Sequence, residues 1–191
     1  MSLVLDAPTK HSRLLAWVAD MVELPSFGEF DLVWALDDAV NYLLSLDELK
    51  GAMAGMAGNL APNGLLAFDL NTLHTYRTFF AGDRVVESGD GRRLVWKGQA
   101  AADVPPGSIC EARFAVETER ERGSIAAATH RQRHFPQEEV LAALDLAGLE
   151  AVAVFGYGFD AVLQQPLDDL RHSKALFIAR PAQTRCEGGE P

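Results

Sequence analysis

Polar side chains gather where the apolar runs of this chain stop. Leu14 to Val18 gives way to Ala19-Asp20-Met21, Phe30 to Leu36 to Asp37-Asp38, and Leu65 to Phe68 to Asp69-Leu70-Asn71. Apolar runs closed by carboxylates or amides suit an open α/β sheet, whose ligands bind outside the carboxyl ends of its strands. On a small molecule such side chains can hydrogen-bond, recognise charge and move protons. Proton transfer near neutral pH suits histidine. In His130-Arg131-Gln132-Arg133-His134, alternation puts His130, Gln132 and His134 on one face and both arginines on the other. A solvated edge strand guarded by its charges is the alternative reading of that segment. His74 and Asp37 join His130 and His134 as candidate bases.

The elements that must position these groups follow from pattern. Phe30 to Leu36 is short and evenly apolar, which predicts a strand buried on both faces. Ser45 and Glu48 form a capping box, and Leu46, Leu49, Met53, Met56 and Leu60 then share one side of a helix. Gly51, Gly55 and Gly58 leave its other side small enough for close approach, and Pro62-Asn63-Gly64 ends it before the Leu65 strand. Strand, helix, strand in this order predicts a parallel βαβ unit. The period then becomes two. Val85 to Glu87 with Leu94 to Trp96, and Cys110 to Glu117 with Ser124 to His134, predict two antiparallel hairpins. Helical grammar returns at Pro136, with Glu138 and Glu139 at the positive end and Gly148 past the close. Glu150 to Phe155 and Ala175 to Ala179 read as strands. The expected organisation is one domain over 1–181, with a β-meander or lid at 84–134, and a polar tail at 182–191.

Composition limits the partners. At 191 residues and 48% hydrophobic the chain can bury one sizeable core. A formal net charge of -10 argues against nucleic acid, which calls for a basic footprint. Two distant cysteines, Cys110 and Cys186, give neither zinc spacing nor a disulfide framework, so no metal is expected and a reducing cytoplasm fits. No apolar stretch predicts a membrane span.

Taken in order, Val18-Ala19-Asp20-Met21, Leu24-Pro25, Phe30-Asp31-Leu32-Val33 and Leu60 to Asp69 resemble the later part of a class I S-adenosylmethionine-dependent methyltransferase. Asp37 to Leu43 and Phe68-Asp69-Leu70-Asn71-Thr72 resemble the small-molecule N- and O-methyltransferases, some of which carry a β-rich insertion after the corresponding strand. The resemblance implies an α/β, Rossmann-like methyltransferase sheet with an antiparallel β insertion after the Leu65–Leu70 strand. It implies S-adenosylmethionine as methyl donor, S-adenosylhomocysteine as product and a small-molecule acceptor. It further implies that Asp20 accepts from the adenine amino group beside the Met21 backbone, and that Leu36 and Asp37 wall the methionine part. Asn41 and Tyr42 lie where donor and acceptor meet, and Asn71 faces the acceptor. Tyr76 and Arg77 either bind the acceptor or anchor the insertion.

One departure from that pattern is large. The family's Asp/Glu-x-Gly-x-Gly-x-Gly strand, loop and helix, and its second strand ending in a ribose-binding acid, are not recognisable, so the expected sheet is N-terminally incomplete. Val4 to Pro8 offers Asp6 as that acid, but Ala7 to Arg13 is shorter than a parallel crossover requires. Two expectations result: a methyltransferase impaired by the missing loop, or a non-catalytic methyltransferase-like domain acting by homo- or hetero-oligomeric association, a partner chain completing the sheet.

Overall fold

A computed structural model describes residues 2–6, 13–89, 91–118 and 121–183. Strands β1 (Ser2–Asp6) and β2 (Arg13–Trp17) pair antiparallel with each other in a two-stranded sheet. This corrects the expected role of the Leu14 run, which was to be the first of three parallel strand ends. An apolar run of five residues does not encode its partner, and the connection to the Ser2 run is too short for a parallel crossover but ample for a hairpin.

The main sheet begins at β3 (Phe30–Ala35). A 3-10 turn at Ala39–Tyr42 leads to helix α1 (Leu46–Ala57), where the Ser45 and Glu48 capping box forms reciprocally. Strand β4 (Leu60–Asn71) pairs parallel with β3, completing the expected βαβ unit. Pro62-Asn63-Gly64, expected as a turn before the strand, lies inside β4. The register passes from Phe30 opposite Leu60 to Leu32 opposite Leu65, so these residues form a bulge. Gly64 is required there, since a Cβ would sit 2.6 Å from the Phe30 carbonyl oxygen.

Helix α2 (Leu73–Thr78), which the sequence pattern did not predict, turns the chain into a second sheet. That sheet orders β5 (Asp83–Glu87), β6 (Arg92–Gly98), β7 (Ile109–Thr118) and β8 (Glu121–Arg133) as an antiparallel meander, the two expected hairpins in series. Tyr76, Phe80, Cys110 and Ala112 bury a small cluster where it meets α2. Helix α3 (Gln137–Leu146) and strands β9 (Leu149–Tyr157) and β10 (Lys174–Pro181) close the chain. Strand β10 lies between β4 and β9, antiparallel to both, giving the order β3-β4-β10-β9.

The core sits on one face of this sheet. Leu66, Phe68 and Phe177 pack there against Leu49, Met53 and Met56 of α1 and Val140 and Leu144 of α3. Phe68 and Phe177 stack with ring centres 5.2 Å apart. The opposite face is apolar but open at the β3 side, with Leu32, Trp34 and Leu65 exposed by 52%, 68% and 41%. Most of the expected 182–191 tail lies outside the described residues.

Candidate functional site

Two of the three polar strand ends, those of β3 and β4, converge. Beyond β3, Asp37 and Asp38 both adopt left-handed backbone, φ 61° and 54°, a region aspartate tolerates better than most residues. The bend lets the Asp38 N–H donate to Asp69 Oδ1 at 2.6 Å, tying the end of β3 to β4. Asp69 is buried and its other oxygen accepts from the Tyr157 hydroxyl of β9 at 2.7 Å. From β10, Lys174 Nζ reaches Asp38 at 2.7 Å, Asp37 at 3.3 Å and Asp69 at 3.5 Å. Burial disfavours the Lys174 charge, but its hydrogen bond to Asp38 and the nearby carboxylates outweigh burial and raise its pKa. Burial first, then the bond to Asp69, pushes the Tyr157 pKa far up, so it remains a donor.

A second network crosses from the main sheet to the meander. The Asn41 side chain accepts from the Asn71 N–H at 2.8 Å and donates to the Arg133 carbonyl at 2.9 Å. Asn71 Nδ2 donates to Gln132 Oε1 at 3.0 Å, and Gln132 Nε2 donates to Asp38 Oδ2 at 2.5 Å. The Tyr42 hydroxyl bonds His130 Nδ1. Around these groups lies a cavity of about 620 Å³. Asp37, Asp38, Tyr42, Asn71, His130 and Lys174 supply its polar wall, and Phe79, Phe80 and Trp96 its aromatic one. A cavity with a broad apolar wall and convergent polar groups suits a small molecule.

Of the expected site residues, Asp37, Tyr42, Asn71 and His130 line this cavity together. Asn41 stands behind it, fully buried. Tyr76 is also buried, its hydroxyl donating to the Arg133 carbonyl at 3.1 Å, while Arg77 Nε donates to the Val104 carbonyl at 2.9 Å and so ties α2 to the loop between β6 and β7. His134 is buried away from the lining, with Nε2 3.1 Å from Asp169 Oδ2 and Nδ1 accepting the Gly107 N–H at 3.1 Å. Asp20 and Met21 lie in a separate turn, where Asp20 Oδ1 accepts the Val22 N–H at 2.9 Å, and Leu36 is 44% exposed beside Asp37. Among the described residues no group of three or more His, Cys, Asp or Glu is arranged to hold a metal ion. No helix among them is long and apolar enough to cross a membrane.

Sequence reasoning gave no role to Gln132, Lys174, Tyr157 or Trp96. Gln132 had a signal, since it shares the face of His130. Lys174 and Tyr157 had none, because they reach the site only through the pairing of β10 with β4 and β9.

Solved structures share this fold. An S-adenosylmethionine-dependent methyltransferase from Clostridium acetobutylicum superposes with TM-score 0.70 at 16% identity, over 86% of this chain and 63% of that one. The CcbJ methyltransferase from Streptomyces caelestis gives 0.66 at 20% identity, over 87% and 63%. The sugar N-methyltransferase KedS8 from a Streptoalloteichus species gives 0.57 at 26% identity, over 86% and 61%. The fold is that of a class I S-adenosylmethionine-dependent methyltransferase. This chain therefore spans less than two thirds of each of those structures. No family model and no curated relative matches it. Within the methyltransferase fold, the cavity lies where the carboxyl ends of β3 and β4 meet the meander, the position at which an open α/β sheet binds its ligands.

Proposed function

We propose that this chain carries out methyl transfer from S-adenosylmethionine to a nitrogen or oxygen of a small-molecule acceptor, releasing S-adenosylhomocysteine. The observation that carries this reading is the cavity at the strand ends of a methyltransferase fold, with Asp37, Tyr42, Asn71 and His130 in one wall. The residues present fit the donor. Asp20 keeps one carboxylate oxygen for an amino group after capping Val22, and exposed Leu36 offers an apolar wall. The Asp37 side chain, 97% exposed, is available to an ammonium of the methionine part. Bound there, S-adenosylmethionine supplies an electrophilic methyl on sulfur. The chain's own work is to position the acceptor, exclude water and receive a proton. Calorimetric titration with S-adenosylmethionine and S-adenosylhomocysteine tests the proposal: micromolar binding is expected, and no heat at millimolar ligand with a folded sample overturns it.

One observation favours a second reading, a methyltransferase-like domain that works by association. Among the described residues β3 pairs with β4 alone, and Phe30, Leu32 and Trp34 along it are exposed. An apolar edge strand of this kind is a template for another chain.

A further inference from the structure

Two histidines line the same cavity, His74 from α2 and His130 from β8, and their Nδ1 atoms face partners of opposite kind. His74 Nδ1 lies 3.1 Å from the Leu170 carbonyl oxygen. A carbonyl can only accept, so the neutral ring carries its proton on Nδ1 and keeps the Nε2 lone pair free. The His130 case takes more steps. Asp38 accepts from Gln132, which identifies the nitrogen of that amide and leaves Gln132 Oε1 to accept from Asn71. Burial is the first cause that raises the pKa of Tyr42, so Tyr42 stays a phenol with a proton to donate. That hydroxyl bonds His130 Nδ1, and a phenol, a far stronger acid than a neutral imidazole N–H, is the donor of such a pair. A nitrogen that accepts there cannot hold the ring proton, so neutral His130 is protonated on Nε2.

Building on the methyl-transfer reading, we propose that His74 is the proton acceptor of this cavity, and that His130, held by the Tyr42 hydroxyl, is an N–H donor that orients the acceptor molecule through one of its oxygens. An N–H aimed at the attacking atom would occupy the lone pair that must attack, so the His130 contact belongs to a neighbouring oxygen. In the balanced step the lone pair of the attacking atom forms the bond to the methyl carbon, sulfur keeps the electrons of the bond it loses, and the acceptor's proton passes to His74 Nε2. Tyr42 acts through His130 and is a positioning residue.

Nitrogen-15 NMR of the full chain, at a pH where imidazoles are neutral and with His74→Gln and His130→Gln used for assignment, reads the two rings directly. The expected result is a pyridine-type Nε2 in His74 and a pyridine-type Nδ1 in His130; the same tautomer in both, or the reverse pair, overturns the proposal. Diethyl pyrocarbonate, which acylates the free imidazole lone pair, gives a second readout by peptide mass spectrometry. His74 should react about tenfold faster than His130, the bias one ordinary hydrogen bond imposes, and Tyr42→Phe should bring the His130 rate up. Equal rates in the unaltered protein count against the proposal. Neither measurement needs bound donor. Failure of the titration with S-adenosylmethionine would thus withdraw the methyl-transfer reading alone, and reversed tautomers in a chain that binds the donor would withdraw only this one.

Discussion

Lys174 is the only cation in contact with Asp37, Asp38 and Asp69 among the described residues, and two of those carboxylates are largely buried, with side chains 21% and 6% exposed. Lys174→Met keeps the length of the side chain and removes its charge. Leaving buried carboxylates uncompensated should cost about 2–4 kcal/mol, read as a shift in the urea midpoint. The sign with pH follows from linkage. The folded pKa of Lys174 is raised, so its stabilisation is fully present below the ordinary lysine value and is lost as pH rises from there through the raised value. The difference between native and Lys174→Met should therefore be flat across neutral pH and, on the alkaline side, shrink only in strong alkali. Gln132→Glu makes the complementary test. The new carboxyl has the old shape but faces Asp38 Oδ2, which now accepts from Gln132. A like charge raises the folded pKa of the introduced group, so the penalty is small below the ordinary glutamate value and grows as pH rises through it. Urea midpoints at mildly acidic and neutral pH should separate accordingly, and a pH-independent deficit would contradict the network.

Helix α1 shows where local pattern is sufficient and where it is not. Its start was legible from Ser45 and Glu48, because a capping box is a contact between neighbours in sequence. What its glycines approach was only half legible. Gly51 and Gly55 face Val22 and Leu24, in the segment before β3, and not the sheet itself. At Gly55 a Cβ would lie 2.8 Å from the Leu24 Cβ, whereas at Gly58 the nearest atom is 3.5 Å away. Helix propensity alone would reward alanine at Gly55, inside α1, by up to about 1 kcal/mol, and Gly58, the residue that caps α1, has a right-handed φ of -65° that alanine also adopts. Gly58→Ala should be neutral or slightly stabilising, while Gly55→Ala should destabilise by about 1–3 kcal/mol as the overlap forces backbone shifts. Thermal melts of the two variants side by side decide it, since both sample the same helix. The remaining misreadings have physical causes. Six residues in α2 are too few to show a helical period. The bulge at Pro62-Asn63-Gly64 uses turn residues inside a strand, and the placement of β10 between β4 and β9 is a long-range pairing with no local signature. Asp37, Asn71 and His130 were legible because strand ends and alternation point their side chains, and Tyr42 only through the family resemblance; Tyr157 and Lys174 were not, because only the sheet order brings them in.

At the scale of the whole molecule, two forces oppose each other at the open side of the sheet. Leu32 and Leu65 lie opposite each other in the β3 and β4 register, as do Trp34 and Ala67, so the exposed Leu32, Trp34 and Leu65 make one apolar area beside an edge that is unpaired among the described residues. Burial of such surface favours association at about 25 cal/mol per Å². A net charge of -10 on each copy opposes it. Salt screens the repulsion and leaves the hydrophobic contribution in place, so self-association through this face should strengthen as ionic strength rises; association held by ion pairs would weaken instead. Sedimentation velocity at low and high salt measures the direction. Trp34→Lys should abolish the salt-enhanced species, because it places a charge in the middle of the patch and on the edge strand, a device that keeps natural edges from pairing. A chain that stays monomeric at every salt concentration would remove self-association from the associative reading and leave it only a different partner chain.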